Sequence, residues 1–251
     1  MNYLYLQLKW NVPGSKIFVT EVSDFGTEIP DKPALLPIFK FQKPPPRMKA
    51  EFFETFKLLN GELCHVEFHL ERVRKTQAVF FRDANFRVSE LYDALTDYPE
   101  GLFKVRVDYD SRITGIRADL YEVKPHRKLR LVEAGDFDYS YKFADRGFFR
   151  EALDRHPDCD DILFLKDGYL TDTTYCNIAL FTGEEWVTPS SFLLPGTKRA
   201  ALIHSGLLHE ASVSLQDLAG FEVMAFINAM RDFEKKYTFV RDQNELILAE
   251  I

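Results

Sequence analysis

A mixed α and β fold is predicted for this 251-residue chain, and three stretches carry the prediction. Phe52 to His69 holds two apolar-rich runs that meet at Asn60-Gly61, a strong hairpin signal. Leu102 to Asp110 alternates apolar and polar residues with the period of a strand, placing Lys104, Arg106 and Asp108 on one face. Gly196 leads into TKRAALIHSGLL, which has the composition of a helix whose first backbone amides are left unpaired. With 46% hydrophobic residues the chain can bury a large core, so a folded α/β protein is expected rather than a disordered one.

Taken in order, residues 1–50 carry short aromatic runs and end in Pro44-Pro45-Pro46, read as a surface connection or sheet edge because proline cannot donate to a ladder. After the hairpin, the spacing of Leu70, Val73, Ala78 and Phe81 predicts a helix opened by His69. Val88 to Leu95 reads as a second helix. VKPHRKLR, around Pro125, is the candidate connection between two domains, 1–124 and 125–251. GDFDYSYKFADR alternates as a strand, with Phe137, Tyr139, Tyr141 and Phe143 on one side and Lys142 on the other. Asp145 to Leu153 reads as helix. Asp160 to Pro189 reads as three strands joined at Asp167-Gly168 and Gly183, with a bulge near Thr173-Thr174.

The 39 acidic against 32 basic residues give a charge of −7, which offers no broad footprint for nucleic acid. Cys64, Cys159 and Cys176 are widely spaced and include no CxxC, so reduced thiols are expected rather than a disulfide framework or a zinc knuckle. No apolar run approaches the roughly 18 residues of a membrane span, and MNYLYLQLKW lacks the pattern of a signal peptide. A cytoplasmic protein with no membrane partner is the expectation.

Several residues have a chemical reading beside an ordinary one. Gly196-Thr197 at a helix start could hold a phosphate, although most helix starts hold nothing. Lys142 could be a Schiff-base lysine desolvated by Tyr141 and Phe143, or a solvated strand lysine. Asp172 could keep a pyridine nitrogen protonated, or cap a turn. His65 and His69 are four apart, but HVEFH does not fit the HExxH pattern, and no metal is expected.

These pieces occur in one order. FETFKLLNGELCHVEFHLERV, YKFADR, GYLTDTTYCNIALF, WVTP, LLPGTKRA and INAM together resemble the fold-type IV pyridoxal-phosphate enzymes, the class-IV aminotransferase family. The resemblance covers roughly Phe52 to Phe233. It implies a two-domain, D-amino-acid aminotransferase-like α/β fold with pyridoxal 5'-phosphate between the domains, and a homodimer. By position, Lys142 is similar to the lysine that carries the cofactor, and Asp172 stands where the family has a glutamate facing the pyridine nitrogen. Arg72 matches the arginine of the phosphate site, Gly196 and Thr197 the phosphate cup, and Asn177 the asparagine of the cofactor hairpin. Arg106, Lys198, Asn228 and Ala229 are the candidate substrate contacts. Aspartate at 172 is one methylene shorter than the family's glutamate, and residues 1–50 lack the glycine-rich lead into FET.

The family acts on small-molecule amines. INAM and the KFADR spacing resemble the aminodeoxychorismate lyase branch of the folate pathway, which forms p-aminobenzoate and pyruvate. The alternatives are an aminotransferase of branched-chain or D-amino acids with a 2-oxo acid acceptor, and a relative that binds the cofactor without turnover.

Overall fold

A computed structural model of the chain describes residues 51–233 and 236–251. The expected proline-rich connection lies outside these residues. The elements follow the sequence closely at first. β1 (Phe52–Leu59) turns at Asn60 and Gly61, whose φ values of 50° and 83° are the left-handed pair a tight hairpin needs. β2 (Glu62–Leu63) is only two residues long. Helix α1 (Val66–Phe80) starts three residues before the expected His69 and is entered through His65 in the left-handed region.

α1 also departs from its expected apolar stripe. It buries His69, Arg72, Val73, Thr76 and Gln77, while Ala78 is exposed. The cause is an acid on the facing strand. β1 alternates Phe52, Glu54, Phe56 and Leu58 toward the core, and Glu54 in that row must be met by donors rather than by aliphatic carbon.

α2 (Val88–Ala94), β3 (Leu102–Tyr109) and β4 (Ile113–Leu120) complete the first half. The sheet is antiparallel in the order β2-β1-β3-β4, and Phe56, Leu58, Leu91, Val105 and Val107 close its core completely to solvent. The segment around Pro125 then passes to the second sheet without regular structure, although its His126 is buried between Tyr175 and Phe226.

The second sheet contains β5 (Lys128–Glu133), β6 (Asp161–Lys166), β7 (Tyr169–Thr173), β8 (Asn177–Phe181) and β9 (Trp186–Pro189). It also takes in β10 (His209–Ala211), β11 (Val223–Ile227), β12 (Tyr237–Asp242) and β13 (Glu245–Glu250). Its order is β10-β9-β8-β11-β12-β13-β5-β6-β7. The sheet curls until β7 meets the chain after β10, through Leu170 N–H to Val213 O at 2.9 Å and Leu215 N–H to Gly168 O at 2.9 Å. Inside it lie Leu131, Leu163, Leu165, Ile178, Leu180 and Met224, all fully buried. Among the described residues no helix is long and apolar enough to cross a membrane.

Two sequence expectations fail here. The stretch from Asp160 to Pro189 forms four strands rather than three, because the chain leaves the sheet at Thr174–Cys176 instead of bulging within one strand. Thr174 N–H and its hydroxyl both turn onto Asp161 Oδ1, at 3.2 and 2.6 Å, which takes them out of the ladder. GDFDYSYKFADR is an irregular loop and not a strand. Ser140 turns back onto Asp138, Tyr139 O–H donates to Phe143 O at 2.7 Å, and Phe137 stacks on Phe148 at 3.7 Å, so local closures replace a partner strand. The loop is pinned against β1 by Phe53 N–H to Lys142 O at 3.1 Å and Ala144 N–H to Glu51 O at 2.9 Å. Lys142 therefore turns into the protein rather than out to solvent. Helix α3 (Gly147–Asp154) follows and buries Phe148 and Phe149.

Candidate active site

A cavity of about 490 Å³ opens between the two sheets, within the size range of small-molecule sites. Lys142, Arg72, Asp172, Asn177, Gly196 and Thr197 line it together, as do Arg106, Asn228 and Ala229. Lys198 does not. Its ammonium lies 3.2 Å from His65 Nε2, beside the start of α1. Of the expected substrate contacts, Lys198 is thus the one placed away from the cavity lining.

Lys142 reaches the cavity from its pinned loop, with Nζ 4.8 Å from the Phe53 ring centroid. Burial, with the charges of Arg72, Arg146 and Arg106, pushes its amine down to about 7 against the opposing pull of Glu54. An amine held near 7 is in substantial part neutral at neutral pH, the form in which a lysine can act as nucleophile or base.

At one end stands Asp172, at the close of β7. Its Oδ2 accepts Leu193 N–H at 3.0 Å and Leu194 N–H at 2.8 Å, and its Oδ1 accepts Asn177 Nδ2–H at 2.7 Å. Burial pushes the carboxyl up to about 7, against those three donors and the more distant charge of Arg199. The acid is thus held in one orientation without a cation against it. Asn177, at the start of β8, also donates to Leu194 O at 3.1 Å. Its carboxamide lies so close to Gly196 that a Cβ there would sit 1.8 Å from Oδ1. Glycine at 196 is therefore a packing requirement, not a matter of backbone conformation, since its φ is −69°.

At the other end, Gly196 caps helix α4 (Thr197–His204). Arg72 faces this start from α1. Its Nε and Nη2 donate to Glu54 at 2.8 and 2.6 Å, and its Nη1 donates to Pro195 O at 2.9 Å. Three of five N–H groups are thereby used, and a guanidinium beside unpaired helix amides is an anion site in kind. Burial pushes the Glu54 carboxyl up, but the charge of Arg72 and bonds from His69 and Arg72 outweigh it and hold the acid well below the usual range.

The rim is cationic. Lys104, Arg106, Lys124, Arg146 and Arg231 line the cavity with Glu122 and Asp160 as the acids near its edge. Arg106 is committed on one side, through Nε to Asp108 Oδ1 at 2.8 Å, and lies over the Phe53 ring at 3.9 Å. Arg146 donates to Thr174 O, and Arg231 donates to Lys124 O at 2.6 Å. Asn228 is occupied as a turn cap, accepting Met230 N–H at 2.9 Å and Arg231 N–H at 3.0 Å while its Nδ2 faces Cys176 Sγ at 3.1 Å.

Sequence reasoning missed Glu54, His69, Arg146 and Arg231. For Glu54 the signal was present, as an acid in the apolar row of a strand; for His69 and Arg72 it was their three-residue spacing on one helix face. Arg146 closes the KFADR motif but was given no role of its own, and Arg231 had no signal beyond being basic.

Residues 142–233 match the model of the family described as Amino-transferase class IV. The chain is 28% identical over 181 residues to an uncharacterized protein of Haemophilus influenzae, covering 71% of this chain and 96% of that protein. It is 24% identical over 204 residues to a "Putative aminodeoxychorismate lyase" of Schizosaccharomyces pombe, covering 73% and 87%. A solved structure described as a putative 4-amino-4-deoxychorismate lyase from Haemophilus somnus superposes with a TM-score of 0.66 at 28% identity, covering 73% of this chain and 98% of that one. The fold also matches a PLP-bound hypothetical aminotransferase from Mycobacterium tuberculosis, at TM-score 0.61 and 14% identity over 81% and 80% of the two chains. The chain is accordingly an enzyme of the fold-type IV architecture, with curled sheets flanking the cavity.

Proposed function

We propose that this enzyme is a pyridoxal-phosphate-dependent lyase that converts 4-amino-4-deoxychorismate to p-aminobenzoate and pyruvate. The observation that carries the reading is the arrangement in one cavity of a near-neutral Lys142 amine, a buried acid at one end, an anion cup at the other and a cationic rim. The relatives described as lyases of this kind support it.

The residues fit the cofactor chemically. Arg72, Gly196 and Thr197 would hold its phosphate, and Lys142 would bind it covalently. Asp172, which has three neutral donors and no cation against it, would face its ring nitrogen. The place where a side chain at 196 would begin is filled by Asn177, so only glycine fits at this turn of the phosphate end. Bound there, the cofactor would supply an electron sink for the charge left on the amine-bearing carbon.

Everything else falls to the chain. Asp172, once a cation lies against it, stays ionised and keeps that partner protonated. Lys142 as neutral amine takes the proton from the amine-bearing carbon. As ammonium it returns that proton to the enolpyruvyl methylene while the carbon–oxygen bond breaks, pyruvate leaves and the ring becomes aromatic. Cations at the rim, with Arg106 and Lys104 foremost, hold the substrate's carboxylates. An aminotransferase would share the first proton removal and part company afterwards, returning the proton on the cofactor side and releasing a 2-oxo acid. The division into domains 1–124 and 125–251, a homodimeric state and a cytoplasmic address belong to the same proposal.

Borohydride reduction of the protein loaded with pyridoxal phosphate tests the cofactor assignment. A pyridoxyl mass on the Lys142 peptide, absent from Lys142→Ala, is expected; an unmodified Lys142 in loaded wild-type protein would overturn it.

A further inference from the structure

Behind the start of α4 lies a line of polar groups that the reaction does not use. His69 is wholly buried, its ring against Phe56 with centroids 4.2 Å apart. Its Nδ1 is 2.8 Å from Glu54 Oε2, and its Nε2 is 3.3 Å from the Thr197 hydroxyl. Glu54 is held as a carboxylate by two N–H groups of Arg72, so it can only accept. The hydrogen between Glu54 and His69 must therefore sit on Nδ1. A neutral ring then has a bare Nε2, and the only hydrogen available for that contact is the hydroxyl hydrogen of Thr197.

This fixes what Thr197 offers to the cavity. Its hydrogen points backward into the protein, and lone pairs face the place where the α4 amides and Arg72 converge. An ionised phosphate oxygen also only accepts, so two acceptors would meet. One proton on the ring reverses the line: Nε2–H donates to Thr197, and the freed hydroxyl hydrogen turns outward to the anion. We infer that an oxyanion at the start of α4 and a proton on His69 bind together, with the Thr197 hydroxyl as the reversible link between them. This rests on the reading of Arg72, Gly196 and Thr197 as the phosphate end of the site.

The surroundings of His69 agree. Burial of the ring and the charges of Arg72 and Lys142 disfavour the proton, while Glu54 favours it, and the balance holds the ring below its ordinary value before an anion arrives. On the neighbouring α4, Lys198 is turned to His65 and Arg199 to Glu210 and Pro189 O. A dianion against Thr197 adds negative charge on the cavity side of the ring. His69 is in this account a positioning residue, which acts on the anion through Thr197.

The test uses the full chain without cofactor, uniformly labelled with ¹⁵N so that both the backbone amides and the rings of its six histidines are read, with inorganic phosphate as the probe at pH 7.5. Amide shifts of Gly196 and Thr197 report whether phosphate reaches the helix start. The His69 signal, assigned by its loss in His69→Gln or by its selective shift in Thr197→Val, reports the proton. The expected result is a change of His69 from neutral ring to imidazolium as phosphate saturates, and no such change in Thr197→Val at the same occupancy. Phosphate bound with His69 still neutral would overturn the inference and leave the phosphate site standing. Protonation that is equal in Thr197→Val would overturn the role of the hydroxyl. Absence of any shift at Gly196 and Thr197 up to saturating phosphate would overturn both the inference and the reading on which it rests.

Discussion

Asn177 Oδ1 occupies the position in which a side chain at Gly196 would begin, 1.8 Å from an ideal Cβ. The same carboxamide donates to Asp172 at 2.7 Å, so one asparagine ties the acid end of the cavity to the anion end. Gly196→Ala is expected to push Asn177 off Asp172, destabilising the protein by about 1–3 kcal/mol and weakening pyridoxal phosphate binding. Urea denaturation and a spectral titration with pyridoxal phosphate measure the two effects. Unchanged values in both would show that Asn177 moves aside freely.

Glu54→Gln removes the charge that Arg72 and His69 share in a buried setting. Because the guanidinium is left without its counter-charge, a loss of about 3–5 kcal/mol is expected. The Glu54 carboxyl is held below its ordinary range, so its contribution is present above about pH 4.5 and is lost as pH falls through the lowered value. The gap between wild type and Glu54→Gln, followed by denaturant midpoints, should therefore narrow in acid. A gap that widens in acid would contradict the ion pair.

For Asp172 the sign is the reverse. Its folded value, raised to about 7 from 3.8, means that the folded apoprotein keeps a proton the unfolded chain has lost. Apoprotein stability should fall as pH rises from about 4 to 7, with a ceiling of about 4 kcal/mol from this group. Asp172→Asn should lack that slope. Midpoints at pH 4.5 and 7.5 for the two proteins decide it, and parallel behaviour would show that Asp172 ionises as an ordinary surface acid does.

Lys142 should react with an amine-directed acylating reagent at a rate that levels off above about pH 7, because burial and three arginines lower its amine to that value. Peptide mass mapping across pH compares it with exposed lysines, whose rates continue to rise toward pH 10.4. A Lys142 profile that follows the exposed lysines would contradict its placement.

The sequence was legible where one residue's role is set by its near neighbours. Asn60-Gly61 specifies a turn by itself, β3 shows its two faces, and Gly196-Thr197 opens a helix as read. It was misleading where a period was satisfied without a partner. Phe137 to Phe143 alternates because its aromatics fill a core beneath a loop, and its pairing with β1 stops at a single bridge between Phe143 and Phe52 instead of extending into a ladder. The order of motifs carried the site through that error, since Lys142 reaches the cavity even though its local structure was misread. The roles of Arg146 and Arg231 became visible only with the fold, because each meets a group distant in sequence: Arg146 is 28 residues from Thr174, and Arg231 is 107 residues from Lys124.

Turnover decides whether Lys142 in this cavity serves a lyase. Purified protein loaded with pyridoxal phosphate, supplied with 4-amino-4-deoxychorismate, should release pyruvate and p-aminobenzoate in equal amounts, and Lys142→Ala should release neither. Formation of a 2-oxo acid from an amino acid with 2-oxoglutarate, with no pyruvate from 4-amino-4-deoxychorismate, would contradict it.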